Sequence, residues 1–417
     1  MHRLFAIALG LLILVGSAES APARANGVGP FDDVWVARSG EAYPGSGSSC
    51  ARPHAVADGV DDQSELNWAV QHLNDHGTLH LCAGIFHLTN PIGRLSPCAP
   101  GCYFALPTHL TISGAGMHKT ILDGGATYSD GVRTGPGSDI IWAFSDEEEL
   151  TLSDLTVQNA VEPNGNGAAV SSSAAVAIIR ARFYRNETAD EDSNISGAAI
   201  DAPSITIIDS IFAENTADGD GGAINSTHVE VSGSLFLGNS ANGEGGAIDA
   251  ASVVVTNSRF SGNDAQSGGA IKATTLTVAG STFTNNSADS GGAISVTSMG
   301  LTITNSSFAS NDAVIDGGAI YAYTATISRS RFTRNTAGEH GGAVKLAPPS
   351  DDDLQNLRGN TFSRNTAAAG GAMTLGPCGT PSRSQAARVE RANRFSGNRA
   401  TEQRRTNNIE RLEGGCG

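Results

Sequence analysis

The feature that most constrains this chain is a pair of four-residue signatures recurring on one beat. Gly-Gly-Ala-Ile stands at Gly221, Gly245, Gly268, Gly291 and Gly317. Gly341 opens Gly-Gly-Ala-Val, Gly370 opens Gly-Gly-Ala-Met, and degenerate copies begin at Gly167 and Gly197. From Gly197 to Gly341 the steps are 24, 24, 23, 23, 26 and 24 residues. Phe-x-x-Asn keeps the same beat: it starts at Phe183 and recurs at Phe212, Phe236, Phe260, Phe283, Phe308, Phe332, Phe362 and Phe395, each followed three residues on by Asn, from Asn186 to Asn398. Self-similarity at a fixed period of about 20–50 residues marks a solenoid or array, in which each repeat buries its apolar face only against its neighbours.

Five and seven residues before each Phe lie further apolar residues, such as Val231 and Val229, Val255 and Val253, Val278 and Leu276, or Ile303 and Leu301. This period-two alternation reads as half-buried strand. Turns rich in Gly, Asn, Asp and Ser separate the strands. A unit of this length with about three short strands and no helix predicts an all-β parallel β-helix of about ten coils, stacked about 4.8 Å apart. In such a stack Phe lies over Phe, and Asn over Asn in an amide ladder. A leucine-rich-repeat solenoid is excluded, because its Leu and helical patterns are absent.

Composition narrows the function. The chain has 51 Gly in 417 residues, only 6% aromatic and 16% charged residues, and a net charge of −16. The acidic surface argues against nucleic acid as a partner. Residues 1–25 have the layout of a secretory signal: Met1-His2-Arg3, an apolar run from Leu4 to Val15, and Ala23-Arg24-Ala25 as the cleavage site. The run is too short to span a bilayer, so the mature chain is expected to carry no spanning segment. Six cysteines in an exported chain favour disulfides. Pairing by proximity gives Cys50–Cys82, Cys98–Cys102 and Cys378–Cys416, at the two ends and outside the repeats. Zinc is a weak rival, since Cys98-x-x-x-Cys102 has no matching second pair.

The signatures at Gly221–Ile224 and Phe236–Asn239 resemble the repeat of the polymorphic outer-membrane protein family, which implies a surface β-helix passenger acting in adhesion. The 19 residues after Asn398 do not supply that family's membrane barrel. A second resemblance lies upstream. Asp58-Gly59-Val60-Asp61-Asp62-Gln63-Ser64-Glu65-Leu66 leads to Gly77-Thr78-Leu79-His80-Leu81, Leu110-Thr111-Ile112-Ser113-Gly114-Ala115-Gly116 and Ile121-Leu122-Asp123-Gly124. This is similar to the opening of the pectate-lyase-like superfamily, whose rods are right-handed, single-stranded and closed by an N-terminal capping helix. Residues 61–75 read as that helix, with Leu66, Ala69, Val70 and Leu73 on one face. The superfamily holds lyases, hydrolases, esterases and non-enzymes, so it implies a fold and not an activity. The expected organisation is a signal over 1–25, cap and first strands over 26–106, repeats over 107–400 and a C-terminal tail over 401–417.

No catalytic or cofactor-binding residue is assigned from sequence. Asp61 and Asp62 read as stabilising the N-terminus of the capping helix. Ser113-Gly114-Ala115-Gly116 with Lys119-Thr120 has the wrong spacing for a phosphate loop. His228 and His340 read as isolated surface residues. Asp220, Glu244 and Asp316 just before the Gly pairs, with Asp289 and Glu339 one residue earlier and Asp218 and Asp264 nearby, predict an acidic stripe along one edge. The bland reading is a solvated edge, and calcium is the cation it leaves open. The stretches 40–57, 89–107, 126–148, 187–196, 345–356 and 374–388 read as loops interrupting the rod. They include Asp190-Glu191-Asp192 and Asp351-Asp352-Asp353, and a ligand site is expected on such loops. Eight arginines between Arg383 and Arg411, with Cys416 beyond, read as a basic closing cap. The sequon Asn186-Glu187-Thr188 is read as a by-product of the Asn-rich repeat. The expectation is an exported, non-enzymatic rod at the cell surface or outer membrane, or in the periplasm. It would act as an adhesin, glycan-binding or structural protein, with a polysaccharide or a host or cell-surface partner. The alternative is a polysaccharide lyase or glycoside hydrolase on the same fold.

Overall fold

The computed structural model describes residues 30–38, 49–93, 106–129, 132–133, 135, 137–143, 149–162, 166–188, 196–347, 357–376, 383–402 and 408–411. The signal segment, Cys98, Cys102, Cys378, Cys416, Asp190-Glu191-Asp192 and Asp351-Asp352-Asp353 lie outside them.

The repeats fold as a parallel β-helix with three long sheets. Among the described residues these contain 19, 12 and 10 strands, so the number of turns differs slightly from ten. In a representative coil, strand Ile248–Thr256 carries both the Gly-Gly-Ala-Ile leg and the Val-x-Val leg. Ile248, Ala250, Val253 and Val255 point inward, and the alternation breaks at Ala251-Ser252, where the strand bends. The two apolar legs expected as separate strands are thus one bent strand on the first face. Arg259–Ser261 forms the second face. Asp264–Ser267, after the ladder asparagine, forms a third face not expected from the sequence.

Stacking is in strict register, with Phe212↔Phe236↔Phe260↔Phe283 on consecutive strands. From Phe183 to Phe395 successive ring centroids are 4.6–5.1 Å apart and the planes are within 9° of parallel. Register continues the column upstream as Val157, Leu122 and Phe86.

The asparagines form the expected ladder. Asn239 Nδ2 donates to Asn263 Oδ1 at 2.9 Å and to the Phe212 carbonyl at 3.0 Å. Its Oδ1 accepts from Asn215 Nδ2 at 2.8 Å and from the Asn215 backbone N–H at 3.2 Å. Every polar capacity of the buried amide is used. A second, shorter ladder was not expected. The backbone N–H groups of Ser210, Ser234, Ser258, Ser281 and Ser306 each donate to the next serine hydroxyl at 3.0–3.2 Å. Ser330 continues it to Asn360 and Asn360 to Asn393. The two glycines of each pair have different reasons. Gly245 has φ +65°, a left-handed corner. A Cβ on Gly246 would lie 2.2 Å from the Gly269 carbonyl oxygen of the next coil.

The N-terminal helix, α1, spans Gln63–Gln71, shorter than 61–75. Leu66, Ala69 and Val70 are buried as expected, but Leu73 is buried at the start of strand Leu73–Leu81. Cys50 and Cys82 are disulfide-bonded as paired by proximity, with Cα atoms 5.6 Å apart. Several loop assignments are corrected: 40–57 ends in strand Ala55–Ala57, which pairs with Phe31–Arg38, and 187–196 opens on strand Glu187–Thr188. Residues 126–148 contain strand Ile141–Ala143, which pairs with Val170–Ser172, and Ile140, Ile141 and Ala143 are core residues. Residues 374–388 contain the start of a helix, α2, at Arg383–Ala392, which buries Val389.

Replacing Asn263 with Ala removes an acceptor from Asn239 and a donor from Asn286 and Phe236. It should lower stability by at least about 2 kcal/mol, read as a shift of the urea midpoint. Phe260→Ala should cost about 3–5 kcal/mol. Midpoints unchanged by either substitution would contradict the register described.

Candidate functional site

The residue following each Gly-Gly-Ala-Ile motif or its variants points outward on the first face, and Glu410 continues the same register position without the motif. In register these are Ser171, Asp201, Asn225, Asp249, Lys272, Ser295, Tyr321, Lys345, Thr374 and Glu410. A row on a sheet exterior would normally be wet, yet Lys272, Ser295, Lys345, Thr374 and Glu410 are each at most 8% exposed. Residues before the Gly pairs cover part of it: Glu244 pairs with Lys272, and the Ser267 hydroxyl donates to Ser295 at 2.9 Å. The sequence did not single out this row. Its signal was a polar residue at a fixed offset after each apolar repeat motif.

The expected acidic stripe is broken. In register, the position before the Gly pair runs Glu244, Ser267, Ser290, Asp316, His340 and Ala369. Two serines separate the upstream acids from Asp316, and two charged clusters result. In the first, Glu244 Oε1 pairs with Lys272 Nζ at 2.5 Å, and Asp220 Oδ1 accepts the Glu244 backbone N–H at 2.7 Å. Asp249 sits beside them, and its carboxyl is pushed from 3.8 up to about 7, first by burial and then by Asp220 and Glu244, with Lys272 opposing. Upstream, Asn225 donates to Asp201 at 3.1 Å. Burial raises the Asp201 carboxyl, opposed by hydrogen bonds from Asn166 and Asn225. Asp201 and Asn225 line a cleft of about 330 Å³.

In the second cluster, His340 Nδ1 lies 2.8 Å from Asp316 Oδ1 and 3.8 Å from Glu339 Oε2. His340 is therefore not the isolated surface residue expected. His228 is exposed and stands opposite Ser252 on the next strand. Burial lowers the Lys345 amine, while Asp316 and Glu339 oppose that shift. Burial, then Tyr323 and Asp316, raises the Tyr321 hydroxyl.

The N-terminal acids are structural. Asp62 is fully buried; it accepts the Gly59 and His87 backbone N–H groups at 2.6 and 2.8 Å and pairs with Arg38 at 3.1 Å. It is the N-cap residue of α1 by position, but its side chain makes no capping hydrogen bond. Asp62 thus clamps the cap to the first coil, while the expected hydrogen bond to the helix N-terminus comes from Asp61, whose Oδ1 accepts the Gln63 backbone N–H at 3.4 Å. Asp61 accepts the Thr89 hydroxyl at 2.7 Å. Asp264 stands in register with Ser240 and Ser287 on the third face, and Asp218 accepts from Asn242 at 3.0 Å. Asn186 is a fully buried ladder amide bonded to Asn215, which closes its sequon to glycosylation in the folded chain. Among the described residues, no helix is long and apolar enough to cross a membrane.

Fold and site together define a repeat-built parallel β-helix with a sheltered polar row beside a turn edge. Three stretches, 209–227, 233–251 and 280–297, match the model of the Chlamydia polymorphic membrane protein repeat. No curated protein matches the chain. Three solved structures are similar at 13% identity each. The A-module of Azotobacter vinelandii mannuronan C-5 epimerase AlgE6 covers 86% of this chain and 97% of its own, with a TM-score of 0.31. The catalytic unit of a thermostable GH87 α-1,3-glucanase from Streptomyces thermodiastaticus covers 87% and 67%, with 0.35. PfbA, a surface adhesin of Streptococcus pneumoniae, covers 82% and 89%, with 0.35. At these scores no activity follows from them.

Because the Asp249 carboxyl binds its proton more tightly folded than unfolded, its contribution is greatest below about pH 4 and is lost as pH rises through about 7. Asp249→Asn should remove this loss, so the variant gains stability relative to the parent between pH 4 and 8. Parallel melting curves for the two proteins would contradict the burial of this acid.

Proposed function

We propose that this protein is an exported, non-enzymatic rod at the cell surface or outer membrane that binds an extended polar polymer, a glycan being the preferred ligand. The observation that carries the reading is the open cleft at the upstream end of the row, where Asp201, Asn225, Ser226 and Thr227 offer carboxylate, amide and hydroxyl groups on consecutive coils. An array of donors and acceptors on a rigid edge suits a polymer with polar groups repeating every few ångströms. The match to the polymorphic membrane protein repeat supports the surface location.

A second reading, a polysaccharide lyase or hydrolase, is favoured by one observation. Asp249, whose carboxyl is pushed up to about 7 by burial and by Asp220 and Glu244, is suited to exchange a proton near neutral pH.

Incubation of the purified mature chain with acidic and neutral polysaccharides, reading retention and released chain ends, separates the two. The rod reading expects retention without release, and a severalfold loss of retention in Asn225→Ala, which removes a cleft-lining amide. Chain-end release abolished by Asp249→Asn would replace it with the enzyme reading.

A further inference from the structure

Lys272 and Lys345 occupy the same position in their coils, directly after Gly-Gly-Ala-[Ile/Val]. In each case the preceding coil offers a carboxylate just before its Gly pair, Glu244 for Lys272 and Asp316 for Lys345. Lys272 takes its partner. Lys345 does not, because Asp316 is turned to His340 at 2.8 Å. Lys345 is only 3% exposed, lies in the field of Asp316 and Glu339, and makes no hydrogen bond among the described residues. Its nitrogen therefore keeps its donors for an acceptor that the described residues do not supply.

Asp316 and Glu339, whose charges act on Lys345, form with His340 a set of one imidazole nitrogen and two carboxylates whose donor atoms all lie within 4.8 Å of one another. Donors sharing one zinc ion at about 2.1 Å stand about 3.4 Å apart in a tetrahedral arrangement. The His340–Asp316 and His340–Glu339 separations of 2.8 and 3.8 Å bracket that value. Glu339 is well exposed, so it can adjust to close the set. The nitrogen donor favours a borderline metal over calcium or magnesium, which take oxygen ligands.

We propose that Asp316, Glu339 and His340 form a three-donor site for a divalent cation of the zinc class, with its open position facing an oxygen ligand that Lys345 steadies by hydrogen bonding. Three protein donors leave one tetrahedral position free, and the unused Lys345 donors supply the outer support that an exogenous oxygen ligand would need. The site is confined to two consecutive coils and does not depend on the polymer-binding reading.

The test uses the full mature chain, stripped with EDTA and titrated calorimetrically with zinc chloride. One zinc-binding event should weaken at least tenfold in His340→Ala and severalfold in Glu339→Gln. Melting in EDTA checks that both variants fold, and Glu339, being exposed, can be replaced without disturbing the core. Lys345→Met should keep zinc affinity within about threefold. In the cobalt-loaded protein, acetate should shift the visible absorption bands, and Lys345→Met should need about ten times more acetate for the same shift. Absence of zinc binding, or binding indifferent to both His340→Ala and Glu339→Gln, would overturn the metal site. An acetate response unchanged in Lys345→Met would overturn the role of Lys345.

Discussion

The structure depends on the buried asparagine amide. A carboxamide inside a dry core is unfavourable unless its two donors and its acceptor are all used. Here only an identical amide one coil away, together with the Phe carbonyl of the coil before, completes the set. That requirement fixes both the strand interval and the register, because a coil displaced by one residue would strand two amides and turn its Phe outward. Other features follow from it. Corners must be sharp enough to return the chain after so few residues, hence left-handed backbone at Asn257, Asn285 and Gly245. The Gly pairs must let neighbouring coils approach where no Cβ fits.

Much of this was legible because stacking copies the same residue into every coil. Phe and Asn repeat almost without exception, so their columns could be read directly. The serine ladder had an equally regular signal, Ser two residues before Phe, but exposed turns are also rich in Ser and the pattern was absorbed into turn chemistry. The buried alanines of the third face, such as Ala265 and Ala288, were overlooked for a similar reason: a small residue carries little hydrophobic contrast. Upstream, Leu122 and Val157 fill the aromatic column without repeating its chemistry, so only register identifies them. The strand at Ile141–Ala143 and the helix at Arg383–Ala392 sit in stretches without the motif, where periodicity had nothing to count.

The candidate sites were less legible, for a physical reason. Contacts along a solenoid join residues about one period apart, and a single changed residue in one coil redirects its neighbours. The acids before the Gly pairs could be found by spacing. That Glu244 would meet a lysine while Asp316 met a histidine depended on which residue stood one coil later. Chemistry in this fold therefore resides in the variable positions, and the invariant ones hold them at a common interval.

The ladder also has a direction. From Asn186 to Asn365, each Asn side-chain N–H aimed along the stack points to the following coil, and each Oδ1 faces the preceding one. An amide dipole is roughly 3.5 D, and these add head to tail within the core. The ladder is thus polarised along the rod axis, with its positive pole at the C-terminal end.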